Sequence, residues 1–224
     1  MILIFVLYAI TMLSLYGGKL PTIIINKTGK NPYAARMQAM LIFAFIPLVG
    51  LVAQPLGQYS CWLPIIIIGF IGAAHQSWSA NIFSTIGDMF PKSIIATITG
   101  IGGMAGGIGS FMINKGAGSL FSYSAGTCLY KGEELEMSTK LLKEVAPKLD
   151  SEVVRECALN GQKLAEQLMA AGCEIVQAPM EALGFIGKPA GYMIVFCFCA
   201  VAYLIGWVIM KTLVPKYKPI VIEK

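Results

Sequence analysis

Acidic residues are nearly missing from this 224-residue chain outside one block. Ten of the twelve lie between Glu133 and Glu181, which leaves Asp88 and Glu223 for everything else. Charge of either sign is scarce, 13% of residues against about 25% in soluble domains. With 56% hydrophobic residues and a mean hydropathy of +0.70, that scarcity excludes an ordinary soluble domain. No run of basic residues gathers on a soluble face, which excludes a nucleic-acid partner. A cleavable signal peptide is not expected. Met1 is followed at once by ILIFVLYAITMLSLYGG, with no charged lead before it and no small-residue cleavage site after it. This abrupt start in apolar sequence reads as an internal methionine whose upstream part is missing.

What the chain has instead is apolar runs of spanning length. A membrane-crossing helix needs about 20 apolar residues at roughly 1.5 Å each. Five runs qualify, at about 1–25, 35–54, 62–87, 93–121 and 189–211, and the fold is expected to be all-α and integral to a membrane. Breakers separate them: Thr28-Gly29-Lys30-Asn31-Pro32, Gln54-Pro55-Leu56-Gly57-Gln58 and Met89-Phe90-Pro91-Lys92-Ser93. Lys27, Lys30 and Arg36 fall in the first connection, with Asp88 and Lys92 in the third. Lys211, Lys216, Lys218 and Lys224 fall at the end, whereas 54–61 has no basic residue. The positive-inside rule then puts the first and third connections and the 214–224 tail in the cytoplasm. It puts residues 123–187 outside.

The 123–187 block is a different kind of sequence. It carries ten acidic and six basic residues, net −4, while the remainder has eleven basic and two acidic, net +9. Apolar residues recur at helical spacing after Ser138, Ser151 and Asn160, which are candidate caps, and Gly172 is a candidate stop. A helical insertion is expected. It holds Cys128, Cys157 and Cys173, from which one bridge can form and one thiol is left over; the pairing is open. Cys61, Cys197 and Cys199 read as apolar filler, and no metal site is expected.

Chemistry concentrates in the third run, where AHQSWSANIF interrupts 25 uncharged residues from Trp62 to Ile86. Polar groups at membrane depth normally face a packed interior or a water-filled path. His75 and Trp78 lie roughly 20–24 Å along the helix from Trp62. Asn81, Thr85 and Asp88 continue the line of Trp78, and Gln76 and Ser79 form a neighbouring line. His75, Gln76, Trp78, Ser79 and Asn81 are therefore the candidate substrate path, offering hydrogen-bonding groups and an aromatic face. The alternative for each is interhelical hydrogen bonding that only holds the bundle. Asp88 is expected to anchor the inner loop.

In the fourth run, Gly100, Gly102, Gly103, Gly106, Gly107 and Gly109 leave two stripes without side chains, a candidate packing and sliding surface. A phosphate loop is excluded, since no strand precedes it and no Lys-Ser/Thr follows. Lys115, roughly 33 Å along this helix, is placed near the outer interface as a possible outer-side ligand.

The run HQSWSANIFSTIGDMFPKS followed by TGIGGMAGGIGS resembles helices 10 and 11 of bacterial hexuronate transporters, in the anion:cation symporter branch of the major facilitator superfamily. YGGKLPTIIINKTGKNPYAARMQAML, Tyr16 to Leu41, is similar to helix 8, its cytoplasmic loop and the start of helix 9 in that branch. The resemblance covers about residues 8–121. It implies a 12-helix fold of which this chain supplies a C-terminal part. Residues 1–122 would be helices 8–11, 123–187 an insertion, 188–213 the last helix and 214–224 a cytoplasmic tail. It implies a sugar-acid anion with a proton or sodium as cargo, alternating access about a midplane site, and a missing N-terminal half as partner. No cofactor is implied. The family's loop signature carries an Asp four residues after its Gly, but here Thr22 stands four after Gly18.

The expected function is thus the C-terminal fragment of a proton-coupled symporter. The competing reading is a non-transporting membrane protein that binds a partner through 123–187. An enzyme is not expected, because His75 and Asp88 are separated by roughly 20 Å of helix and no nucleophile stands beside the histidine.

Overall fold

The computed structural model describes residues 2–216; Met1 and the tail residues Lys218, Glu223 and Lys224 lie outside the described residues. Five helices among the described residues are long and apolar enough to cross a membrane: Ile2–Thr28, Pro32–Gly57, Trp62–Met89, Lys92–Ala125 and Lys188–Leu213. The chain divides into two compact units, Met1–Gly109 with Cys197–Lys224, and Ser110–Phe196.

In the first unit the first two spans are broken helices. The first consists of α1 (Ile2–Thr11), α2 (Ser14–Gly17) and α3 (Leu20–Thr28). Gly17-Gly18 weakens the helix there, and Pro21 lacks the N–H that would continue the ladder. Gly29, left-handed at φ +65°, closes α3, and Asn31 opens α4 (Pro32–Phe45) by accepting from the Ala34 N–H at 2.7 Å. That stop and start is what the Gly-Lys-Asn-Pro sequence demands. Pro47 then turns the second span into a 3-10 helix over Ile46–Val52, before α5 (Ala53–Gly57). The third span, α6 (Trp62–Met89), is unbroken, about 42 Å at 1.5 Å per residue. It ends where Phe90 turns extended ahead of Pro91.

Helix α6 is the centre of this unit, with α1, α2, α4 and α5 packed on it and α3 packed on α4. Close approach comes from glycine. A Cβ at Gly17 would stand 1.9 Å from Ser77 Oγ, and one at Gly69 would stand 2.9 Å from Ile10. The core holds Ile24, Tyr33, Met37, Met40, Phe43 and Trp78 among small alanines.

The fourth span is α7 (Lys92–Ala125), which runs past the expected limit of 122. In the second unit it leads into a mixed α/β block. Strands β1 (Thr127–Tyr130), β2 (Glu133–Glu136) and β3 (Glu174–Gln177) form an antiparallel sheet in the order β2-β1-β3. Helices α8 (Thr139–Val145), α9 (Ser151–Leu159) and α10 (Gly161–Ala170) follow β2. Strands β4 (Glu181–Ala182) and β5 (Phe185–Ile186) make a second hairpin. The last span is α11 (Lys188–Leu213).

The all-helical expectation for 123–187 is therefore corrected. Lys131 and Gly132, at φ 52° and 86°, and Leu183 and Gly184, at φ 53° and 79°, both make two-residue turns with left-handed backbone, the geometry that joins tight hairpins. Ser138 and Asn160 cap α8 and α10 as expected. Ser151 does not cap α9, because Asp150 takes that position and accepts from the Glu152 N–H. Gly172 lies at φ +91°, just past α10.

Candidate functional site

The polar residues of α6 divide between two faces, as 100° per residue requires. Ser77, Trp78, Asn81 and Thr85 are buried, on the face that meets α4 and α2. His75 and Gln76 are exposed and Ser79 is half-buried. The candidate path is thus not one surface: Trp78 and Asn81 point inward, while His75, Gln76 and Ser79 point away.

On the buried face the hydroxyl and amide groups are satisfied mostly by their own helix. Ser77 Oγ donates to the Ala73 carbonyl, Asn81 Nδ2 to the Ser77 carbonyl and Thr85 Oγ1 to the Asn81 carbonyl, each at 2.7 Å. Asn81 is only 1% exposed, yet its Oδ1 has no hydrogen-bond partner. A buried acceptor left unmade costs about 1–3 kcal/mol, so this oxygen is the one polar group on that face held at a standing cost.

Tyr203 of α11 joins the two faces. Its hydroxyl and His75 Nδ1 are hydrogen-bonded. Its ring meets His75 edge-on at 6.0 Å and Trp78 edge-on at 5.5 Å. Sequence reasoning missed Tyr203, because a single tyrosine in an apolar run signals nothing until the partner helix is known. Trp207, one turn on, donates from its indole nitrogen to the Met37 carbonyl at 2.8 Å, and Tyr33 donates to the Val214 carbonyl.

At the far end of the same stripe, Arg36 Nε donates to Asp88 Oδ2 at 2.7 Å, with both side chains partly exposed. The expected anchoring contact of Asp88 is therefore an ion pair from α6 to the start of α4. Lys30 donates to Gln38 Oε1 at 2.6 Å, and Lys27 is exposed.

The glycines of α7 are placed differently from those of α6. A Cβ at Gly100, Gly102, Gly103, Gly106, Gly107 or Gly109 would meet nothing within 4 Å. Ile101, Met104 and Ile108 between them are exposed. Within the first unit, close glycine contacts lie instead at Gly17, Gly57, Gly69 and Gly72. Lys115 lies in an exposed stretch of α7.

Among the described residues, no three His, Cys, Asp or Glu side chains gather closely enough to hold a metal ion. In the second unit, burial and the neighbouring Cys173 thiol push the Cys128 thiol up to about 11. Burial also raises Cys157, and the exposed Lys163 is raised by its hydrogen bond to Glu156. No family model, curated protein or solved structure matches the chain.

Proposed function

We propose that the chain is the C-terminal portion of a secondary transporter for hexuronates or related sugar acids. It would work by proton-coupled alternating access in the bacterial inner membrane, with 123–187 periplasmic and the C-terminus cytoplasmic. The observation that carries the reading is the group His75, Trp78, Asn81 and Tyr203 at mid-helix in otherwise apolar spans. Polar side chains at such depth face a packed interior or a solute path, and this group is read as the latter. Support also comes from the resemblance of residues 8–121 to hexuronate transporters.

In this reading His75 and Tyr203 offer a donor and acceptor to a carboxylate or hydroxyl, and Trp78 backs Tyr203 as a rigid wall. Arg36 and Asp88 hold the inner ends of α4 and α6 together. The open glycine face of α7 is where helices of the preceding half would pack and slide. The partners are the sugar-acid anion, a proton or sodium, lipid and that preceding half; no cofactor and no enzymatic step is needed.

The test is uptake of labelled galacturonate or glucuronate in proteoliposomes under an imposed proton gradient. The chain alone should accumulate nothing. Together with a segment supplying the preceding helices it should accumulate substrate, and a protonophore should abolish this. Failure of the combined protein across sugar acids sinks the reading. His75→Gln with an unchanged pH profile of uptake would remove the histidine as proton carrier.

A second reading has its own observation. Residues 127–186 hold a separate core of Cys128, Met137, Leu142, Cys157 and Leu168, as a binding module would. It predicts a protein partner retained by that block when transport is absent.

A further inference from the structure

Three cysteines share one buried core in the 127–186 block, and two of them are neighbours. Cys128 lies on β1 and is 0% exposed; Cys173 precedes β3 and is 5% exposed. The pairing of β1 with β3 sets Cys128 opposite Ile175, so Cys173, two residues before Ile175, projects to the same side of the sheet as Cys128. The Cys173 thiol stands close enough to add to burial in raising the Cys128 thiol. Cys157 belongs to the same core from α9, where burial first and then Glu156 raise its thiol against the opposing Lys163.

We propose that Cys128 and Cys173 are a disulfide-forming pair, closed by thiol–disulfide exchange with a small-molecule or protein disulfide, and that Cys157 stays a free buried thiol. The bond would span β1 to β3 and enclose α8, α9 and α10 in one covalent loop. Diagonal strand neighbours stand slightly farther apart than disulfide geometry prefers. The required shift falls on Cys173, which lies just before β3 and beside the left-handed Gly172. The slippage in the β1–β3 register between Thr127 and Cys128 gives a second place to absorb it.

The chemistry balances in two exchanges. Cys173, the more accessible thiol, attacks one sulfur of the oxidant as a thiolate. This forms a mixed disulfide and releases one thiol of the oxidant. Cys128 then loses its proton and attacks Cys173 Sγ, which releases the second thiol. Two protein thiols give up two electrons and two protons, and the oxidant's disulfide becomes two thiols. Burial and the adjacent thiol hold Cys128 protonated, which makes it the second and slower nucleophile.

The proposal depends neither on the direction of transport nor on transport itself. The test treats the purified full chain in detergent with oxidised glutathione, denatures it, and counts alkylated thiols with peptide mass analysis. Two of the six cysteines should become unreactive, in one linked peptide joining Cys128 and Cys173, and dithiothreitol should restore them. The oxidised protein should melt several degrees higher for this block. Cys157→Ser should leave the link intact, whereas Cys128→Ser and Cys173→Ser should abolish it. Six reactive thiols after oxidation would overturn the proposal, as would a linked peptide that contains Cys157. Both outcomes are read on the unmutated chain, so a variant that fails to fold does not rescue the idea.

Discussion

The two compact units solve the same burial problem in opposite ways. In the first, interior positions go to small residues, Ala35, Ala39, Ala44 and Ala74 among them, while Phe5, Ile2 and Tyr8 on α1 stand more than half exposed. In the second, Leu142, Leu168 and Met137 are fully enclosed, and Glu133, Glu134 and Glu152 face outward. Apolar side chains turned outward at this scale are untenable in water. Gly17 and Gly69 bring backbones close in the first unit, a packing that membrane helices use. The contrast sets helices long and apolar enough to cross a membrane against a block that encloses its own apolar core, and each substitution below should hurt one core and spare the other.

The largest effect belongs to the water-type core. Leu142→Ala removes a fully buried side chain, and such truncations cost about 2–5 kcal/mol. Hydrogen exchange should accelerate across 127–186 while the protected amides of α6 keep their rates. Equal acceleration in α6 would show that the two cores are not independent.

Alkaline pH should separate the units next. Cys128 is raised from its ordinary 9.0 to about 11, so the folded state holds its proton more tightly than the unfolded chain. Its contribution is therefore fully present below pH 9 and is lost as the pH climbs toward 11. One unit is about 1.4 kcal/mol, so the loss amounts to about 2–3 kcal/mol. The Cys128 share should vanish in the oxidised protein, where only the raised Cys157 thiol and Lys163 of this block still titrate in that direction. A reduced block with flat stability across that window would refute the assignment.

These expectations rest on features of unequal visibility in the sequence. The spans lie within four residues of where apolar length and the Gly29, Asn31-Pro32 and Pro91 breakers put them, because apolar length and helix geometry leave little choice. The breaks inside the first two spans were hidden, since apolar length alone does not register Pro47 or the Gly17-Gly18 pair. The hairpins were hidden because Lys131-Gly132 and Leu183-Gly184 lack the Asn or Asp that usually announces such turns. Of the candidate site, the stripe Trp78-Asn81-Thr85 followed from helical periodicity. The inward turn of Asn81 and the partnership of Tyr203 depend on which helices become neighbours, which no single helix encodes.

Glycine tests the membrane-type unit directly. Gly17→Ala drives a methyl group to 1.9 Å from Ser77 Oγ and 2.4 Å from its Cβ, and overpacking of this kind costs about 1–3 kcal/mol. Gly103→Ala meets open space and should raise the thermal midpoint slightly, because alanine is the better helix former by about 1 kcal/mol. If Gly103→Ala also impairs uptake by the combined protein, that helix face is a moving contact. If uptake is untouched, the α7 glycines serve no contact there.

The smallest effect on stability should come from the most informative substitution. Asn81→Leu removes one hydrogen bond, from Nδ2 to the Ser77 carbonyl, but also removes the unpartnered Oδ1 and keeps nearly the same shape. The gain and loss are each about 1 kcal/mol, so the midpoint should hardly move. A residue kept only for packing would then be dispensable. If sugar-acid binding, followed by quenching of Trp78 fluorescence, falls at least tenfold while the midpoint holds, that oxygen serves the solute rather than the fold. Unchanged binding would leave Asn81 to packing and move the search for the ligand to the exposed face, where His75 and Gln76 stand.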